Sequence, residues 1–128
     1  MGKREKASLL YDESDLPERV RENLRTVVPI GTFVLAVLTK YRPNGDMPFA
    51  WLVLRGGALV LCGSHRTRGV YAAHPFTDIN EVRLEGAGKI LRILLNGPDL
   101  ADLVVPLSPT LTSDEARALV QAMKSVGQ

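Results

Sequence analysis

The sequence contains one cysteine and two histidines, a shortage that closes off several chemistries. One cysteine cannot form an internal disulfide, and one Cys with two His falls short of the four ligands of a structural zinc site. The chain therefore reads as cytoplasmic, suited to a reducing compartment, with no cofactor expected. It also lacks a charge excess, since 16 basic and 14 acidic residues leave a net charge of +2. A dedicated nucleic-acid binder carries a strong basic surplus, so no specific nucleic acid is expected and an electrostatic partner must be recognised by a local cluster. No apolar run reaches the ~20 residues of a membrane-spanning helix. The opening MGKREKASLLYDESD is basic but has no apolar signal segment, and Lys6 stands where a myristoylation pattern needs Ser or Thr. Membrane association is expected to be weak or absent.

Catalytic signatures are missing as well. "GAGK", residues 86–89, lacks the upstream glycine and downstream Ser or Thr of a phosphate-binding loop. Cys62, His65 and His74 match no ligand spacing, and no carboxylate pair stands apart from the solvated ones. With neither a nucleophile–base pair nor a metal set, the sequence gives an enzyme no support.

What is present is an ordinary globular composition, 45% hydrophobic and 23% charged over 128 residues, the size of one compact domain. Residues 1–13 read as a loosely docked tail, and 14–128 as a single domain. "SDLPERVRENLRTVVP" predicts the first helix: Asp15 and Glu18 match a capping box, Pro17 suits a first turn, and Leu16, Val20, Leu24 and Val27 recur at helical spacing. Pro29 stops it. Seven strand candidates follow, at 32–41, 49–54, 58–63, 70–76, 80–85, 89–95 and 101–107, separated by Gly, Pro, Asn and Asp. Gly56–Gly57 and the "GAG" at 86–88 predict hairpin turns. The chain closes on "TLTSDEARALVQAMKSVGQ", where Thr112 and Glu115 form a second capping box. Ala116, Leu119, Val120 and Met123 make an apolar stripe there, and Gly127 suits the stop.

Helix, seven antiparallel strands and a C-terminal amphipathic helix resemble the pleckstrin-homology (PH) superfold, particularly its short bacterial PH-like members. The hairpin "WLVLRGGALVLC", the step carried by Pro75, Phe76, Asp78, Ile79 and Val82 in "HPFTDINEVRLEGAG", and the hairpin "KILRILLNG" carry the likeness. It spans roughly residues 15–126. The resemblance implies a mainly β split barrel, capped at one mouth by the C-terminal helix and flanked by the N-terminal one. In phosphoinositide-binding PH domains, basic residues straddle the first hairpin. Lys40 and Arg42 match the first half of that pattern, whereas "FAWLVL" offers no basic residue for the second.

The remaining basic cluster is His65, Arg66 and Arg68 in "CGSHRTRGVY", 62–71. Arginine suits bidentate recognition of carboxylate or phosphate, yet glycines and polar residues are also what a strand connection contains. Arg55, Lys89 and Arg92 could join it in a patch. His74 reads as a half-buried strand residue, Phe33, Phe49, Trp51 and Phe76 as core, and Asp78 as a turn cap. The expected role is a non-catalytic binding or scaffolding module for a protein or peptide partner, or a homo-oligomer. Contact would use a sheet edge or the loops 42–46 and 64–69, with Lys40, Arg42, His65, Arg66 and Arg68 as candidate contacts. Two alternatives stand beside it. One is an anionic-ligand or membrane-surface binder that also uses Lys3, Arg4 and Lys6. The other is a small enzyme with a site in the barrel mouth.

Overall fold

A computed structural model describes residues 8–97 and 101–126. The double glycine turns the chain as its sequence predicts: Gly56 and Gly57 take φ of 58° and 78°. They join β2 (Trp51–Arg55) to β3 (Ala58–Cys62), with Arg55 opposite Ala58. Flanked by β1 (Phe33–Leu38) and β4 (Val70–Pro75), these make a four-stranded antiparallel sheet in the order β1-β2-β3-β4. The second sheet has three antiparallel strands, β5 (Ile79–Glu85), β6 (Ile90–Leu95) and β7 (Leu103–Pro106). The two meet at one corner, through a bridge between Thr39 and Leu107 and a 2.9 Å bond from the Lys40 N–H to the Pro106 carbonyl. They do not close into a barrel. Thr39 serves both that corner and the first hairpin, where its N–H donates to the Ala50 carbonyl at 2.9 Å, and the regular strand β1 ends at Leu38, short of the 32–41 expected.

The long apolar runs of β1 to β3 follow from burial on both faces, which removes the polar alternation of a one-sided strand. Leu35, Val37, Leu52, Leu54, Leu59 and Leu61 point between the sheets, where they meet Val82, Leu91, Ile93 and Val105. Ala36, Val53, Val60 and Cys62 face the other way, into a second core. Helix α1 (Glu18–Val27) covers that outer face with Val20 and Leu24, joined by Leu16 and Val28. Helix α2 (Ser113–Val126) completes the first core with Ala116, Leu119 and Met123, while Val120 is only half-buried. Each such large side chain contributes about 1.5–3 kcal/mol when fully buried.

The two capping boxes fare differently. At α2 the Glu115 N–H donates to Thr112 Oγ1 at 3.1 Å and the Thr112 N–H to Glu115 Oε1 at 3.2 Å. The expected box at α1 does not form. Asp15 lies in a separate 3-10 turn, Glu13–Asp15, capped by Asp12, and Pro17 occupies the N-cap of α1 with no side-chain bond. Pro17 fixes an extended step between the two turns, so the capping pair never shares one helix. The apolar stripe also ends on Val28, 7% exposed, rather than on Val27, 41% exposed.

Of the segment read as a tail, residues 8–13 are docked. Leu10 exchanges backbone bonds of 2.8 and 2.9 Å with Ala36, and Glu13 Oε1 accepts from Arg55 Nε at 2.7 Å. Lys3, Arg4, Lys6 and the Gly127 stop lie outside the described residues.

Candidate recognition cleft

The segment 62–71 is shaped by close approach. The Gly63 N–H donates to the Gly69 carbonyl at 2.7 Å, closing the β3–β4 loop on itself. From α1, buried Asn23 donates through Nδ2 to the Gly63 carbonyl at 2.7 Å and the His65 carbonyl at 3.0 Å. A Cβ on Gly69 would lie 1.9 Å from that Nδ2, and one on Gly63 would lie 2.6 Å from the Tyr71 hydroxyl. Both glycines are there because a neighbour occupies the space of a side chain.

His65 is part of the same brace. Its Nδ1 accepts the N–H groups of Thr67 at 3.2 Å and Arg68 at 3.0 Å, which places the ring proton of the neutral form on Nε2. The imidazole is half-buried and does not line the cleft described next.

A second loop, between β1 and β2, folds across the same end of the sheet. The Tyr71 hydroxyl donates to the Pro48 carbonyl at 2.8 Å, and the rings of Tyr41 and Tyr71 sit 6.4 Å apart. Burial, with Cys62 as a lesser cause, holds the Tyr71 phenol above its ordinary pKa and keeps it a donor. Between the loops opens a cleft of about 500 Å³. Arg66 and Arg68 line it from the β3–β4 loop, Pro43, Asn44 and Met47 from the β1–β2 loop, and Asn23 and Thr26 from α1. Among the described residues no carboxylate lines it.

Arg66 and Arg68 are exposed and form no ion pair among the described residues. That sets them apart from most of the chain's arginines. Arg25 and Arg55 pair with Glu13, Arg83 with Glu81, and Arg92 with Glu85 and Asp102. Arg19 pairs with Glu22, and Arg117 with Asp114. The wider patch does not assemble. Arg55 is 8% exposed and also donates to the Val28 carbonyl, Arg92 is engaged in the second sheet, and Lys89 lies in the β5–β6 turn.

Lys40 and Arg42 do not line the cleft. They sit over Phe49, with Lys40 Nζ 4.6 Å and the Arg42 guanidinium 4.5 Å from the ring centroid. Phe49 is therefore a half-buried platform rather than core; Phe33 and Trp51 are also only half-buried, and Phe76 is core at 9% exposed. His74 is half-buried in β4, as expected. Asp78 accepts the Asn96 N–H through its backbone carbonyl at 2.7 Å rather than capping its turn with its carboxylate.

Sequence reasoning missed Asn23, Met47 and Tyr71. For Asn23 a signal existed: it stands three residues after Val20 and beside Leu24, on the buried face of the helix, where a polar residue needs a partner.

The sheet edges are blunted. Leu10 pairs onto β1 at Ala36. The edge strand β4 carries a register shift near Val70 and ends in Pro75, which has no N–H. The Phe76 N–H points to the Gly57 carbonyl of the β2–β3 turn, so by alternation Pro75 and Ala73 face outward from β4. Exposed Glu81 and Arg83 charge β5, and Pro106 ends β7. Short strands, prolines, bulges and charges are how edges avoid pairing with another chain.

Cys62 is fully buried, and burial pushes its thiol from 9.0 to about 12, which keeps it protonated and away from solvent at neutral pH. Among the described residues no cluster of His, Cys, Asp and Glu could hold a metal ion, and no helix is long and apolar enough to cross a membrane. Scanned against family models the chain matches none, and no curated protein matches it.

Proposed function

We propose that the chain is a non-catalytic, PH-like recognition module of the cytoplasm that binds an acidic peptide segment of a protein partner in the cleft between the β1–β2 and β3–β4 loops. One observation carries the reading. Arg66 and Arg68 line a cleft that no carboxylate lines among the described residues, while six other arginines are paired with acidic residues. Two unpaired guanidiniums in a concave site suit bidentate contact with carboxylates. The loop is held by Asn23 and by His65, which lowers the ordering cost of binding. The PH-like assignment is supported by four and three antiparallel strands followed by a helix that packs into the core between them. The blunted edges favour the loops over strand addition as the contact surface.

Fluorescence anisotropy with a labelled peptide carrying one Glu in a Gly/Ser background tests this. The peptide binds at about 0.05 M salt and weakens at about 0.5 M, and its Gln counterpart does not bind. The Arg66→Ala/Arg68→Ala variant loses about 10-fold or more in affinity, or ~1.4 kcal/mol. Unchanged affinity in that variant rejects the cleft.

A further inference from the structure

Lys40 and Arg42 present a separate electrostatic feature. Two cations are held within 4.6 Å of the centroid of one Phe49 ring, and neither forms an ion pair among the described residues. Arg42 spends one hydrogen bond, at 3.4 Å, on the Gly45 carbonyl within its own loop. The electron-rich ring face attracts each cation, but it does not neutralise their mutual repulsion. The result is two cations over one ring on the exposed β1–β2 loop, which carries Asp46 as its one acidic residue.

The feature shares a wall with the cleft. Met47 lines the cleft, the Pro48 carbonyl is fixed by Tyr71, and Phe49 carries the two cations. Phe49 stands two residues beyond Met47, at most ~7 Å of chain, so the Lys40/Arg42 point adjoins the β1–β2 lining of the cleft that Arg66 and Arg68 line from the β3–β4 loop.

We infer that Lys40 and Arg42, seated on Phe49, form a second anion anchor for the same ligand, so that the partner segment presents two acidic side chains. This rests on the cleft reading above. An extended ligand advances ~3.3 Å per residue, so a segment that crosses the cleft towards Phe49 meets both points with acids several positions apart. One acid lies against Arg66 and Arg68, and the other bridges Lys40 and Arg42. Linking two weak contacts in one chain makes the second intramolecular, so affinity rises without a deep pocket at either point.

Labelled peptides with one Glu, and with two Glu spaced by two intervening residues, distinguish the cases by anisotropy. Wild type binds the two-Glu peptide about 3- to 10-fold more tightly, the gain of an added exposed charge contact. Lys40→Ala/Arg42→Ala abolishes that preference and weakens one-Glu binding less than two-Glu binding. Phe49→Leu, which keeps apolar bulk but removes the ring, reduces the preference partially. Equal binding of both peptides by wild type overturns the second anchor, and so does an equal loss for both peptides in Lys40→Ala/Arg42→Ala. Tighter binding to phosphatidylserine-containing vesicles than to either peptide, lost in that same variant, overturns it in favour of a membrane surface. Failure of the cleft reading looks different: Arg66→Ala/Arg68→Ala then leaves one-Glu binding intact. All four basic side chains are exposed, so unchanged thermal melts accompany these variants.

Discussion

Replacing Gly69 with alanine probes the brace that holds the two cleft arginines. The new Cβ would stand 1.9 Å from Asn23 Nδ2 and 2.8 Å from the His65 carbonyl oxygen. The Asn23 amide must give way, losing its bonds to Gly63 at 2.7 Å and His65 at 3.0 Å. Each such bond is worth ~0.5–1.5 kcal/mol net, and forcing a side chain into a packed site adds ~1–3 kcal/mol. Gly69→Ala is therefore expected to lower stability by about 2–6 kcal/mol, read from urea unfolding followed by Trp51 fluorescence. Asn23→Ala alone removes the same two bonds and costs about 1–3 kcal/mol. The double variant tests the reasoning, because those bonds can be lost only once and the principal obstacle is gone. Its cost falls short of the sum of the single costs by about 1–2 kcal/mol, although the His65 carbonyl still crowds the new methyl. Costs that add to within ~0.5 kcal/mol refute the coupling between α1 and the loop.

Two further outcomes follow from buried groups. Burial raises the Cys62 pKa from 9.0 to about 12, so the thiol resists an aromatic disulfide reagent at neutral pH and reacts once the chain is unfolded in urea. Because the folded value lies above the unfolded one, its contribution is intact below pH ~9 and is lost as pH rises towards ~12, by up to ~1.4 kcal/mol per unit. Cys62→Ala flattens that part of the stability–pH curve, and an identical slope in the variant contradicts the burial. Glu13→Ala strands the nearly buried Arg55 guanidinium and costs about 1–3 kcal/mol in chemical denaturation. Adding Arg55→Met recovers part of that loss, and a neutral Glu13→Ala would show that the N-terminal segment is not held by this pair.

Local chemistry carried most of the fold. The double glycine at 56–57, the Thr112–Glu115 box and the turn residues between strands each act within a few positions, so the seven strands and α2 were legible. Misreadings arose where one local signal overrides another or where long-range packing decides. Asp15 and Glu18 fit a capping box by spacing, but Pro17 divides the segment into two turns. Phe49 reads as core until Lys40 and Arg42 are seen to fold back on it. The Glu13–Arg55 pair joins residues 42 positions apart, and no local pattern announces it. In the site, Arg66 and Arg68 stood out in sequence, whereas their isolation from carboxylates became visible only once six other arginines were seen paired with acidic residues.

The glycines of "CGSHRTRGVY" are set by Asn23 and Tyr71, and its histidine braces the loop. The two arginines are left without a structural task, and they are the core of the functional proposal. Amide chemical-shift mapping of the labelled protein during titration with a one-Glu peptide tests that proposal most directly. The account predicts perturbations concentrated in residues 42–49 and 63–71, with saturation lost in Arg66→Ala/Arg68→Ala. Perturbations confined to β4, β5 or α2, or a variant that titrates like wild type, would contradict it.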